Sequence, residues 1–478
     1  MPADPLVRLG RAVGPRSVSR LGTADILQAS LCVALTGAAL IVFAGHERLL
    51  VALPYIAYAV LAFASPRAAS VALIPIGLLV PMVLELGFGG DLVYVELTAA
   101  AVTGCVIVLA VAVGARALLG GLRPTVEHLP IAALAVIVLA GYFAPPVAVA
   151  AQFSLRYAGG RHFPGLVVCL LMLAVVVMVR PRPVVVVHAF VWSAVAVALF
   201  ALACGYQSGE RLRTLTYLST CLGVVDGPAV VACLALARTR RAVRWLVPAA
   251  VCLACVVASE SRSGVLAVVV GAVFVLVTGR PPVVRLAVLA APALVAVASV
   301  SWGVGFGELL TPWRNEASII SSDVQRWEVL DFSLRLIVEH PLRGVGYGNL
   351  VQLIDYAPRS GERSGAHNDY LRVAAENGIP ALVLLLVILL RGVRPRRAGD
   401  AGVVRAVVVS SMAWIGTDLM LPHPAWSSYL WVCLACLLAM RTHRGESPAA
   451  VECREPRGSP AGRPVNRSSL SVPAAAVE

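Results

Sequence analysis

The chain has 478 residues, 59% of them hydrophobic and only 14% charged, and its apolar runs approach the ~20 residues needed to cross a bilayer again and again between Ile26 and Met440. That excludes a soluble globular protein and predicts a polytopic membrane protein. All 39 basic residues are arginine and the formal net charge is +13, but in a membrane chain this charge is first divided between two faces, so it does not argue for nucleic acid and none is expected as a partner.

In chain order, residues 1–25 carry Arg8, Arg11, Arg16 and Arg20 and read as a cytosolic segment ahead of an uncleaved first helix. Candidate spans follow at roughly 26–44, 49–64, 68–86, 93–114, 129–150, 164–179, 183–205, 214–237, 244–259, 263–278, 283–306, 371–390, 402–421 and 424–440; several are short or broken by proline, so the expected number is twelve to fourteen. The expected fold is an all-α polytopic transmembrane helical bundle. A transmembrane bundle over 26–306 is followed by one large extracytoplasmic loop with short helices at 307–370, C-terminal transmembrane helices at 371–440 and a disordered cytosolic tail at 441–478, rich in Pro, Ser, Gly and Ala.

Sidedness follows from the arginines. With the N-terminus inside, the dense clusters Arg238, Arg240, Arg241, Arg244 and Arg391, Arg394, Arg396, Arg397 fall on the inner face. A multi-pass protein of the plasma (inner) membrane with both termini cytoplasmic is therefore expected.

The eleven cysteines lie almost all in apolar runs. Cys252 and Cys255, like Cys433 and Cys436, have metal-ligand spacing but no flanking histidine, and in spanning helices they read as small hydrophobes. No metal site and no cofactor are expected. His188, inside an apolar run, reads as a hydrogen-bonded core residue.

Polar chemistry gathers at the outer ends. QSGERLRTLTYLS carries Arg211 and Arg213, and ASESRSGVLAV carries Glu260 and Arg262 at the head of a span; an interfacial Glu–Arg pair is the simpler reading of the latter. In SSDVQRWEVLDFSLRLIVEHP, Ser322 is a candidate N-cap with Gln325 three residues on, and His340-Pro341 ends the helix. Glu328, Asp331, Arg335 and Glu339 share its solvated stripe, while Arg326 lies on the apolar side between Leu330 and Ile337. An arginine turned from water calls for an anion, a phosphate if it lies near the helix N-terminus; snorkelling is the alternative.

Next comes PLRGVGYGN, Pro341 to Asn349, whose glycines follow a helix rather than a strand, so it is no nucleotide fingerprint and reads as a tight turn that lets backbone approach a ligand or another segment. In SGAHNDYLRVAAENGIP a helix from about His367 stops at Asn377-Gly378, and Pro380 opens the next. Glu376 is half a turn out of phase with His367 and pairs instead with Arg372 at i−4. His367 then stands at the membrane interface, as a general base or as a cap.

The stretches S-R-S-G (261–264), R-W (326–327) with P-L-R-G-V-G-Y-G-N (341–349), and H-N-D-Y-L-R-V-A-A-E-N-G-I-P (367–380), in that order around a large outer loop, resemble the O-antigen ligase and O-antigen polymerase superfamily of membrane glycosyltransferases. The resemblance covers about Gly205 to Leu390. It implies metal-independent, inverting transfer of a glycan from a polyprenyl diphosphate-linked donor to a sugar hydroxyl of a glycan or glycolipid acceptor on the outer face of the lipid bilayer, in surface polysaccharide assembly. It makes 307–370 the catalytic loop, His367 the catalytic residue, and Arg262, Arg326 and, less closely, Arg213 the donor-binding arginines. Asp226-Gly-Pro departs from the family pattern in the span after Arg213. Guanidinium forks suit a diphosphate leaving group, and neutral imidazole suits a hydroxyl nucleophile.

The competing reading is a polytopic transporter or lipid-linked oligosaccharide flippase, which would place charges deep in broken helices. Here Asp226 and Asp418 are nearly the only deep acids, and the polar residues gather in one asymmetric loop.

Overall fold

The computed structural model describes residues 47–88, 93–119, 124–146, 163–208, 211–278, 316–350, 353, 368–394, 399–417 and 420–442. Among them are fourteen α-helices: α1 (Glu47–Ala64), α2 (Pro66–Phe88), α3 (Val93–Leu118), α4 (His128–Phe143), α5 (Phe163–Val179), α6 (Pro183–Cys204), α7 (Ser219–Arg240), α8 (Leu246–Ala258), α9 (Arg262–Val277), α10 (Glu316–Glu339), α11 (Asp369–Asn377), α12 (Ile379–Val393), α13 (Asp400–Ile415) and α14 (Ser428–Thr442). The all-α expectation holds. Among the described residues a single two-stranded hairpin, β1 (Tyr206–Ser208) with β2 (Arg211–Arg213), interrupts it, where sequence patterning offered only a polar connection.

Four stretches, Pro66–Val83, Thr98–Leu118, Pro183–Cys204 and Ser219–Arg240, are helices long and apolar enough to cross a membrane, and shorter apolar helices pack around them. The expected spans 26–44 and 283–306 lie outside the described residues.

The chain runs up and down, and its polar contacts sort by end. At one end Arg391 holds Glu127 through two bonds of 3.0 and 3.2 Å, Arg441 reaches the same carboxylate at 3.5 Å, and Arg240 pairs with Asp400 at 3.2 Å. These ties join the arginine-dense connections. The opposite end gathers the hairpin, the α8–α9 turn, α10, α11 and the α13–α14 turn.

The centre is α7, buried along most of its length against α8, α9 and α13. Small residues permit that closeness: a Cβ on Gly264 would stand 2.7 Å from the Cα of Gly223, and one on Gly227 would stand 2.8 Å from the carbonyl of Gly264. Ser410 on α13 donates to the Ala267 carbonyl of α9 at 2.8 Å, satisfying a hydroxyl that apolar surroundings would otherwise penalise. Asp226 is fully buried in α7 beside Cys252 and Cys255 of α8.

The helix expected to begin at Ser322 begins at Glu316 instead. A capping signal is worth about 1 kcal/mol, too little to stop a helix whose preceding residues are themselves helix-compatible.

Candidate functional site

The first part of the site is the turn between α8 and α9. Ser259, Glu260, Ser261, Arg262 and Ser263 are all buried, five consecutive polar residues between two apolar helices. Glu260 takes the left-handed conformation at φ 48°, uncommon for a residue with a Cβ and a mark of a turn that the surrounding structure enforces. Ser261 then caps α9, its hydroxyl accepting from the Gly264 amide at 3.2 Å, and also meets the Ser263 hydroxyl at 2.9 Å. Arg262 is thereby the first residue of α9, only 7% exposed, at a helix N-terminus whose dipole favours anions.

The hairpin stands beside this turn. Its register pairs Tyr206 with Arg213 and Ser208 with Arg211, and buried Leu212 anchors it. Arg211 donates through Nε to the Ser259 carbonyl at 3.3 Å, tying β2 to the Arg262 turn. The Arg213 guanidinium lies 5.1 Å from the centroid of the Tyr206 ring, a cation–π contact across the strands.

The second part is built on α11. Asn368 caps it, its side chain accepting from the Leu371 amide at 3.1 Å, so the capping role open to His367 belongs to its neighbour. The expected stop and restart at Gly378 and Pro380 are found, Gly378 at φ 84°. Asp369, Arg372, Glu376 and Asn377 are each at most 4% exposed, so this short helix buries its polar side. The expected Arg372–Glu376 pair forms at 3.3 Å.

The glycine turn after α10 finds another segment to approach. The amides of Val345 and Gly346 donate to the carbonyls of Ala375 and Glu376 at 2.8 and 2.9 Å, satisfying the end of α11, and the Ile379 amide donates to the Pro341 carbonyl at 2.7 Å. Val329 and Leu336 of α10 join Val345, Leu350 and Ala375 in a small core of their own. Glu328, Asp331, Arg335 and Glu339 are exposed as the stripe predicts, and Asp331 pairs with Arg335.

From there α11 is fastened to the bundle. Asp369 accepts from the Leu421 amide at 2.7 Å, Tyr370 donates to the Met412 carbonyl at 3.0 Å, and Tyr347 accepts from the Leu166 amide at 3.3 Å. Burial pushes the Tyr347 phenol above its usual range, so it stays neutral. Tyr347, Asp369, Arg372, Glu376 and Asn377 line a small pocket together with Leu166, Leu421 and Pro422, with a volume of about 10 Å³.

Arg262 and Arg213 therefore come to the same end of the bundle, linked through Arg211 and Ser259. Arg326 lies in α10, but ten residues past its start, beyond the one turn over which a helix N-terminus supports an anion; the helix-terminus argument for a phosphate there fails. His367 lies outside the described residues, as does Asp418. Among the described residues no group of three or more His, Cys, Asp or Glu side chains is placed to hold a metal ion. Sequence reasoning missed Glu85 of α2, whose carboxylate receives the turn after β2.

Residues 247–386 match a family described as O-Antigen ligase. Both parts of the site, the Arg262 turn and α10 to α11, fall within that stretch, and the resemblance drawn from their motifs holds there. The match together with the apolar helices supports a membrane protein with a glycosyltransferase-type role in surface polysaccharide assembly. Among curated proteins none matches the chain.

Proposed function

We propose that the protein transfers a glycan from a polyprenyl diphosphate-linked donor to a sugar hydroxyl at the outer face of the plasma membrane. The observation that carries this reading is the bond between Arg211 and the Ser259 carbonyl, which gathers Arg262 and the hairpin arginines at one end of the bundle. Guanidinium groups at that place suit a diphosphate, whose charge grows as it leaves. Arg262 and Arg213, with Arg326, hold the donor. His367 takes the proton from the acceptor hydroxyl. The hydroxyl oxygen bonds to the anomeric carbon as the bond to the diphosphate oxygen breaks, the electron pair departs with the carrier, and the configuration inverts. Arginine charge stabilises the leaving group without a metal.

In the sequence His367 comes two residues before Asp369, the first residue of the buried, fastened α11. Removing a general base costs ~10²–10⁴-fold in rate, so His367→Ala is expected to abolish transfer in cells while the protein still inserts and binds donor. Near-normal transfer by purified His367→Ala would overturn the assignment. Lipid-linked glycans that accumulate in the deletion strain identify the acceptor: single repeat units indicate polymerisation, full-length chains indicate ligation.

A further inference from the structure

Glu85 lies near the end of α2, in the part of the chain that carries no motif, yet among the described residues its carboxylate accepts from four donors at this end of the bundle. Oε2 accepts from Thr214 Oγ1 at 2.8 Å, the Thr216 amide at 2.9 Å and Thr216 Oγ1 at 2.5 Å, while Oε1 accepts from the Leu215 amide at 2.9 Å. The turn they form is closed on itself, since the Thr214 amide donates to the Tyr217 carbonyl and the Tyr217 amide to Thr214 Oγ1, each at 2.9 Å. Tyr217 donates in turn to the Leu78 carbonyl of α2. Residues 214–217 are thus fixed to α2 at two heights, and Arg213 is the residue immediately before them.

The other edge of the same strand is fixed by Arg211 to Ser259, next to Arg262. Between these anchors Arg213 rests against the Tyr206 ring, and its buried Nε has no hydrogen-bond acceptor among the described residues. A guanidinium stacked on one side and with an unfilled Nε donor has hydrogen-bonding capacity left for an incoming anion. Glu85 does not compete for it, because charge-assisted bonds to four donors occupy the carboxylate.

We infer that Glu85 is a positioning residue: by holding the 214–217 turn it sets the place of Arg213 at the end of the bundle where Arg262 stands, and so the grip on the donor's diphosphate. This rests on the glycosyltransferase reading above. A carboxamide cannot replace the carboxylate, since its NH₂ would face one of the donors.

The test is the affinity of the full-length protein in nanodiscs for undecaprenyl diphosphate, measured for wild type, Glu85→Gln, Arg213→Ala, Arg262→Ala and the Glu85→Gln/Arg213→Ala double variant, with unfolding temperatures alongside. Glu85→Gln is expected to bind roughly tenfold more weakly, a coupling of the size found within one polar network, and the double variant no more weakly than Arg213→Ala alone. A role in stability only would lower the unfolding temperature and leave affinity unchanged, or make the two losses multiply; either result overturns the inference. Should Glu85→Gln fail to fold, Thr216→Val removes one donor without stranding a charge and is expected to show the same dependence on Arg213, in smaller measure. Wild-type affinity in Glu85→Gln beside a weakened Arg213→Ala rejects the role of Glu85 and leaves the donor reading standing. Wild-type affinity in all the variants rejects both.

Discussion

The Leu421 amide donates to Asp369 Oδ2 at 2.7 Å, joining the first residue of α11 to the turn between α13 and α14, with both residues buried. This bond gives the Asp369 carboxylate a structural task, as an acceptor for a buried amide. Asp369→Ala is expected to strand the buried amide and cost about 1–3 kcal/mol, seen as a lower unfolding temperature in detergent, while Asp369→Asn keeps an acceptor and loses less. A fully stable but inactive Asp369→Ala would assign the carboxylate to the chemistry instead.

Arg372 and Glu376 form a buried pair, their side chains 5% and 1% exposed. Breaking it from one side leaves an uncompensated charge, so Glu376→Gln is expected to cost about 3–5 kcal/mol. The joint replacement Arg372→Met with Glu376→Leu should recover much of that loss, because it removes both charges. Chemical denaturation of the purified variants measures the difference, and equal losses in the single and joint variants would show that the pair is not the cause.

The glycine turn makes a steric prediction. At Gly344, φ 62°, a Cβ would stand 2.5 Å from the Ala375 carbonyl oxygen, whereas at Gly114 in α3 it would meet nothing within 4 Å. Gly344→Ala should separate the turn from α11 and reduce the folded yield. Gly114→Ala is expected to be neutral or to stabilise by up to about 1 kcal/mol, through the lower entropy of the unfolded chain. Comparable yields of the two would contradict the packing of the turn on α11.

For the donor-binding arginines, Arg262→Ala and Arg326→Ala should each weaken use of a diphosphate-linked donor, and Arg262→Lys should rescue poorly because an ammonium lacks the planar fork. Transfer should continue in chelator. Activity that strictly requires added Mg²⁺ or Mn²⁺ would reject charge stabilisation by arginine.

Much of the second part of the site is legible residue by residue. The Arg372–Glu376 pair, the stop at Gly378, the restart at Pro380 and the exposed stripe of α10 all follow from spacing along one helix, and the structure has each of them. The start of α10 lies six residues before the Ser322 cap signal, because a local cap competes with the helix-forming residues before it. The glycines of 341–349 announced a close approach but not its partner, which is the end of α11.

The sequence by itself therefore determined the membrane class, the helical fold and the motifs at the ends of the spans, because apolar length, periodicity and turn chemistry act over a few neighbouring residues. Only the tertiary structure decided which of these ends meet. Glu85 and Thr214 are 129 residues apart along the chain, and a lone glutamate at the edge of a span looks like any flanking charge until α2 packs beside the hairpin. The joining of Arg211 to Ser259, and so of β2 to the Arg262 turn, depends in the same way on many small contacts summed across the bundle, and no local pattern records that sum.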